Sequence, residues 1–465
     1  MRRFLLAIAL CALVAVPLAA QNTDIEALSG LQFNFGNPGA RSLGMGGAFL
    51  GRADDASAAE ANPAGLTILR KPEVSLEARN YEEAQILTTS GTYPDVERTA
   101  FTHFSNRVVV SFASAVYPIK NKFTVGLYYH EPLKNQGGGT VFPQFNQTTG
   151  KLEKKTPNFY LPAAGGAPMS QLACEQLRQQ TKNPAACLEY RVDPFISALD
   201  VRQRTFGLAG GWQVLPTLSV GANVRLQTFK EGAFTFRFTP DFDPKNVSVQ
   251  ATAKSSGTDV SLTEEKDVTF GVGFKWAPND KISVGGVYKQ GATFDAPTFF
   301  SGIQTNFEFV KVADSKFHNP DIAGLGVSYQ PIPVLTINAD ADYVKYSNLV
   351  DDFISVVADV SSLNQPFVAK NVTELHIGGE YFFAVKVPFA IRAGYWRDPA
   401  HSVTWNGPLT RADYIAEAML YPKTESQNHV SVGGGLSLGT KFQIDFAYDT
   451  SKNYKVGSIS AITRF

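Results

Sequence analysis

Apolar and polar residues alternate one for one over stretch after stretch of this chain, and few other patterns restrict a fold as tightly. Phe442, Ile444, Phe446 and Tyr448 are interleaved with Gln443, Asp445, Ala447 and Asp449. Leu218, Val220, Ala222, Val224 and Leu226 alternate with Ser219, Gly221, Asn223, Arg225 and Gln227, and the same beat runs from Val268 to Trp276 and from Val430 to Leu438. Successive side chains of a strand point to opposite faces, so each segment presents one greasy and one polar face. A soluble sandwich alternates in the same way, and the pattern alone leaves both architectures open.

The connections separate them. Strands read at 72–83, 106–118, 121–131, 200–214, 217–230, 266–277, 280–290, 317–330, 333–346, 371–385, 387–397, 426–438, 440–449 and 456–465 number fourteen. Short links (Ile119-Lys120, Leu215-Pro216, Pro278-Asn279, Pro331-Ile332, Lys386, Gly439) alternate with long ones at 132–199, 231–265, 291–316, 347–370 and 398–425. Tight turns therefore collect at one rim and long loops at the other. An even strand number with that asymmetry predicts an all-β fold, a fourteen-stranded antiparallel transmembrane β-barrel, because closure satisfies every backbone group that lipid cannot. Beyond residue 21 no run of 18 apolar residues occurs, which excludes a helical membrane protein. Aromatic residues near strand ends (Tyr128, Tyr129, Trp212, Trp276, Tyr329, Tyr343, Tyr346, Tyr395, Trp396) suit interfacial girdles, or simply β propensity.

The first twenty residues are expected to leave. Arg2 and Arg3, an apolar run from Phe4 to Val16, and Pro17-Leu18-Ala19-Ala20 have the layout of a secretory signal peptide. Gln21 stands where a lipoprotein needs Cys. Removing Arg2 and Arg3 from 42 basic residues leaves 40 against 42 acidic ones, a net charge of −2, with no basic stripe for nucleic acid. Cys11 departs with the signal, and in an oxidising compartment the remaining Cys174 and Cys187 are most simply a disulfide, stabilising by about 3 kcal/mol. A metal pair is poorly supported, since the His residues lie far away in sequence and no H-E-x-x-H occurs. No metal and no cofactor are expected. Gly435-Leu436-Ser437-Leu438-Gly439 has the letters of a nucleophile elbow but lies in a strand entering a hairpin, so no enzyme is expected.

The segment ahead of the barrel carries a family resemblance. Gly36-Asn37-Pro38-Gly39-Ala40-Arg41-Ser42-Leu43-Gly44-Met45-Gly46-Gly47-Ala48-Phe49, followed by Ala53-Asp54-Asp55-Ala56-Ser57-Ala58-Ala59-Glu60-Ala61-Asn62-Pro63-Ala64-Gly65-Leu66, resembles the N-terminal signature of the FadL/TodX family of outer-membrane transporters of hydrophobic compounds. The resemblance implies a bacterial outer-membrane location and three parts: signal 1–20, a helical hatch over 21–71 plugging the lumen, and barrel over 72–465. It further implies passive uptake of long-chain fatty acids or other hydrophobic compounds, captured outside and released sideways through a gap at a kinked third strand. The residues support a small Ala-rich helix: Asp54 and Asp55 precede it, Ser57 and Glu60 have capping-box spacing, and Asn62-Pro63 stops it.

Several residues become candidates. Asn62, Pro63 and Ala64 match the hatch motif that couples hatch to wall, or form a plain structural turn. In the family the external groove lies between the third and fourth outer loops. Here these carry Phe234, Phe236, Phe238, Phe242, Phe294, Phe299, Phe300, Phe307 and Phe309, which either receive ligand or, at 234–238, extend a strand. Arg225 and Arg392 sit on polar faces, where they meet a carboxylate head group or neutralise Asp340, Asp342, Glu380 and Asp445. In the third strand, Lys122 to His130, Gly126 is the evident weak point. The terminal Phe465 resembles the end residue read by barrel assembly machinery; the other expected partners are a hydrophobic small molecule and outer-membrane lipid, with the protein monomeric. The rivals are a general porin without a plug and a secretion-linked structural barrel.

Overall fold

The computed structural model describes residues 36–88, 100–119, 122–141, 145–146, 151–152, 158–162, 169–191, 195–240, 247–255, 264–301, 310–314, 316–352, 366–407, 425–452 and 454–465. The signal-like residues 1–20 lie outside the described residues, as do Phe242, Phe307 and Phe309.

Fourteen long strands follow one another: β1 (Glu73–Thr88), β2 (Ala100–Ile119), β3 (Phe123–Val141), β4 (Phe195–Leu215), β5 (Leu218–Pro240), β6 (Glu265–Asn279), β7 (Ile282–Lys289), β8 (Ile322–Ile332), β9 (Leu335–Val344), β10 (Val372–Phe383), β11 (Phe389–Asp398), β12 (Gln427–Leu438), β13 (Phe442–Thr450) and β14 (Tyr454–Arg464). Each pairs antiparallel with its sequence neighbour. The ring closes where β1 meets β14, from Glu73↔Arg464 to Glu83↔Tyr454. A closed antiparallel cylinder leaves no strand edge to satisfy in lipid. The described tight turns lie close to where the sequence puts them. Pro278-Asn279 and Pro331-Ile332 still belong to strands, and those two hairpins turn two residues later, at Asp280-Lys281 and Pro333-Val334. Gly439 supplies the positive φ (68°) that the β12–β13 turn demands.

Burial runs opposite to that of a soluble protein. Along β6 the apolar Val268, Phe270, Val272, Phe274 and Trp276 are exposed while Thr269 and Lys275 are buried. Exposed apolar rows of this kind surround the whole cylinder; Val108 reaches 74%. Only a hydrocarbon solvent makes such a surface stable, and a charge at its centre would cost about 2–4 kcal/mol. The rows begin at exposed Tyr117, Phe123, Trp212, Trp276, Tyr329, Tyr381 and Phe442 near the short turns, and end near the long loops at exposed Tyr288, Tyr343, Tyr395 and Tyr448. On β6 the apolar face runs from Trp276 up to the exposed Lys266. Those ten steps span about 33 Å along the strand, or ~25 Å once tilted, the height of an outer-membrane apolar band.

Several strands rise beyond that band. β3 and β4 stay paired to Val141↔Phe195 and β5 continues to Pro240, so Phe234, Phe236 and Phe238 belong to a strand and not to a free loop. The reason is local: their every-other-residue spacing matches the pleat, and residues 195–202 pair on one side while Val247–Ser255 pair on the other. Between β3 and β4 a small outer subdomain holds the helix Gln171–Thr181 against the hairpin Asn158–Pro162/Cys187–Arg191. Cys174 and Cys187 are bonded there, with Cα atoms 5.6 Å apart, and Tyr160, Met169 and Leu177 pack around them. Replacing both cysteines by serine should loosen this subdomain by about 3 kcal/mol and leave the cylinder intact. Limited proteolysis should then cut within 158–191 while the barrel keeps its heat-modifiable mobility; loss of that mobility would contradict the assignment.

Candidate functional site

Residues 36–70 lie against the inward faces of the strands. The helix α1 (Ala40–Gly44), the single turn α2 (Ala58–Ala61) and a 3-10 turn (Pro63–Ile68) are nearly all buried, and small side chains make that possible. The wall accommodates them with bare backbone: a Cβ at Gly378 would collide with the Met45 carbonyl, one at Gly394 with the Gly46 nitrogen, and one at Gly221 with Pro63 and Ala64. On the other side of the contact, Gly46 and Gly47 turn at φ 67° and 81°, a conformation L-residues resist. Asn62 donates from Nδ2 to the Phe274 carbonyl of β6 (3.0 Å) and to the Leu50 carbonyl (3.2 Å), while its Oδ1 accepts from Ala64 N. Asn62, Pro63 and Ala64 thus form one seat against β4 to β6.

Ionic contacts hold the same segment. Arg41 bridges Asp54 (2.6 Å) and Glu380 of β10 (2.8 Å); Glu380 also binds Arg392 of β11 (2.7 Å), which reaches Asp445 of β13 (2.8 Å). Asp340 Oδ2 accepts from the backbone nitrogens of Phe49 (2.6 Å) and Leu50 (2.8 Å), and Lys275 donates to the Arg52 carbonyl. Burial alone would push the Asp54 carboxyl up, but Arg41 and Arg52 hold it well below the usual range. The capping box expected between Ser57 and Glu60 is absent: Ser57 makes no side-chain cap bond, and Asp55 accepts from its nitrogen instead. Glu60 has a stronger partner, Lys289 of β7 at 3.1 Å, with Arg225 of β5 at 3.8 Å. Desolvation opposes its charge, yet these two cations keep its pKa at about 2.

Glu60 therefore faces a chamber above the segment. It is lined by His130 and Pro132 of β3, Gln203 and Thr205 of β4, Arg225 and Gln227 of β5, Lys289 of β7, and Gln290, Gly291, Asn319, Pro320 and Ile322, and it encloses a small free volume of about 30 Å³. Two cations and one carboxylate leave it a positive surplus. Arg225 donates to the Gln290 carbonyl and its Nε has no partner. Arg392, the other head-group candidate, takes the second of its two expected roles: Glu380, Asp445 and the Gly434 carbonyl engage it, so it neutralises lumenal acids, and it is not among the residues lining the chamber. Sequence reading missed Lys289 and Glu60 as a pair; nothing short of the β5–β6–β7 register could have brought them together.

Beside the chamber the wall is irregular. β2 pairs with β3 only from Ile119↔Phe123 to Phe112↔His130. At that height β3 carries one extra residue against β4, between His130 and Leu133, and β2 carries one against β1, at Ser111. Gly126, the weak point expected from sequence, lies in regular pairing with Val116 and Ala209. The break belongs to Glu131-Pro132, because proline has no N–H to give the ladder. A proline inside a strand was the available signal.

Toward the loops, a buried apolar layer joins Val201, Phe229, Phe294, Phe317, Tyr346, Phe367 and Val403. Phe229, Phe317 and Phe294 form a three-ring cluster, with Phe229 stacked on Phe317 (4.6 Å) and on Phe294 (5.1 Å). Further out, Thr298–Ser301 pairs with Val247–Ser255, so Phe234 and Phe299 stand at register positions on either side of Ala253, with Phe236 opposite Ala251 and Phe300 opposite Thr252. The third and fourth outer loops are joined through this pairing. No described group of three or more His, Cys, Asp or Glu could hold a metal ion, and no described helix is long and apolar enough to cross a membrane.

Comparison with known proteins agrees with this geometry. The chain is similar in fold to a FadL homologue of Pseudomonas aeruginosa, at TM-score 0.61 and 15% identity, over 94% of this chain and 100% of that one. It is similar to the toluene transporters TodX of P. putida (0.56, 14%, covering 93% and 99%) and TbuX of Ralstonia pickettii (0.55, 15%, covering 93% and 100%). No curated protein matches. Residues 194–459, more than half of the chain, match the family described as outer membrane protein transport protein (OMPP1/FadL/TodX). A closed fourteen-stranded cylinder with a lipid-facing apolar belt and this match have one meaning: the chain belongs to the OMPP1/FadL/TodX family of transporters of hydrophobic compounds in the bacterial outer membrane.

Proposed function

We propose that the protein takes up hydrophobic molecules with an anionic head, long-chain fatty acids among them, by diffusion down a gradient, with residues 36–70 as a hatch and release sideways between β2 and β3. The observation that carries this reading is the paired irregularity at Ser111 and Glu131-Pro132, where β2–β3 pairing ends at Phe112↔His130 beside the chamber. Apolar cargo gains about 25 cal/mol per Å² when it leaves water, and a side exit lets it reach lipid without crossing the periplasmic rim. The chamber's positive surplus supports a carboxylate head group held by Arg225 and Lys289. Capture is proposed at the outer sheet that carries Phe234, Phe236, Phe238, Phe299 and Phe300. Phe307 and Phe309 stay with this proposal on sequence alone. The buried seat of residues 36–70 argues against a general porin. We propose that barrel assembly machinery delivers the protein and that it works as a monomer.

Deleting Pro132 tests the exit. It restores equal residue counts opposite β4 and permits β3 to keep pairing with β2. Uptake of radiolabelled oleate by expressing cells should fall about tenfold, with surface expression unchanged; unchanged uptake would overturn lateral release. A second reading, neutral aromatic cargo, draws on the Phe229–Phe294–Phe317 stack and on relatives named as toluene transporters. Parallel uptake of labelled toluene decides between them, since toluene entering while oleate does not would remove the need for an anionic head.

A further inference from the structure

Above the apolar belt, on the outward face of β4, β5 and β6, cations stand in two adjacent rows. Inward positions are fixed by the hydrogen-bonded series Gln203, Gln227 and Thr269, so Arg202 and Arg204, Lys230, and Lys266 project to the other side. Arg202 is directly opposite Lys230, and Arg204, Thr228 and Lys266 form the next row. On the far flank Lys134 of β3 occupies the register position opposite Arg202. Like charges directly opposite each other destabilise a sheet unless something neutralises them.

The protein neutralises only part of this patch. Arg202 binds Glu131 (2.8 Å), and Arg204 lies 3.6 Å from Glu264, which also accepts from Thr228 (3.0 Å). Lys230 and Lys266 make no ion pair among the described residues, and Arg204 Nε is buried without a partner. Four described cations face two carboxylates. Immediately below lie Phe206, Leu226 and Val268, all exposed to lipid, so the charges sit where acyl chains end and head groups begin. The long loops place this rim on the outer leaflet.

We propose that this patch is a binding site for the phosphorylated sugar head group of an outer-leaflet glycolipid, its acyl chains lying on Phe206, Leu226 and Val268. Guanidinium forks at Arg202 and Arg204 and the two free ammonium groups match the charge and the donor need of a phosphate monoester. The site abuts Glu131, at the break in β3, so the bound lipid would border the seam in the wall. It is independent of what the lumen carries.

The test uses the full-length protein, delipidated in detergent, and purified lipopolysaccharide carrying a fluorophore. Lys230→Glu with Lys266→Glu should weaken binding at least tenfold, about the loss expected for two reversed charges at a lipid surface, and the milder Lys230→Gln/Lys266→Gln pair should weaken it less. Lys281→Glu with Lys441→Glu, at the opposite rim, should change nothing. Dephosphorylated lipopolysaccharide should compete poorly. The proposal is overturned if the reversed pair binds as tightly as the parent, if the opposite-rim pair loses as much, or if phosphatidylglycerol or inorganic phosphate competes as well as lipopolysaccharide. All four lysines are outside the buried network, and heat-modifiable mobility confirms that each variant is folded.

Discussion

Removing residues 22–66 should convert a tight barrel into one that conducts small hydrophilic solutes. Strand pairing, including β1 with β14, involves none of those residues, so the cylinder itself remains closed. Interior width grows roughly in proportion to strand number: eight strands are filled by side chains, whereas sixteen to eighteen leave an aqueous channel. A fourteen-stranded barrel is near the upper case and needs a filler. The inward residues that would be uncovered, among them Asp340, Glu380, Arg392 and Asp445, are charged and would hydrate at once. Planar-bilayer conductance should rise about tenfold or more, and expressing cells should admit a small sugar. If conductance does not change, the seal lies instead in the apolar layer around Phe229, Phe294 and Phe317, and the hatch role of residues 36–70 is wrong.

The cylinder was legible because lipid imposes two rules together: alternation fixes the faces, and closure fixes an even ladder of hairpins. Fourteen strands could be placed from Val268–Trp276-type runs, and turns from residues such as Pro216 and Gly439, although the prolines at 278 and 331 pulled two expected turns two residues early. Strand tips were not, since above the bilayer nothing demands a greasy face and Phe234 to Phe238 read equally as loop. Asn62-Pro63-Ala64 was visible as a motif, but its seat against bare backbone at Gly221 depends on which strand faces it. Ion pairs such as Arg41–Glu380, 339 residues apart, leave no local mark at all. Glu60 shows the limit best: capping-box spacing suggested a local bond, and a distant lysine outcompeted it.

Gly378→Val combined with Gly394→Val should unseat the N-terminal segment without opening the barrel. These two glycines are paired across β10 and β11, where the Met45-Gly46 backbone crosses the wall. Local propensity predicts the opposite sign, because valine in place of glycine favours a strand by up to about 1 kcal/mol. Packing decides: both new Cβ atoms would overlap backbone atoms, which cannot swing aside as a side chain can. Withdrawing the segment breaks the buried Arg41–Glu380 contact, a cost of about 3–5 kcal/mol that opposes unseating, so unseating requires the two overlaps, with the Met45 carbonyl and the Gly46 nitrogen, to outweigh that cost. Arg41 and Arg52, largely covered in the seated segment, should become trypsin sites, and solute conductance should rise toward that of the 22–66 deletion. Gly457→Val is the matched control, as a Cβ there meets nothing within 4 Å; it should keep the segment protected. Trypsin resistance and low conductance in the double variant would mean that the seat yields, and that close backbone contact is not what holds the segment in the lumen.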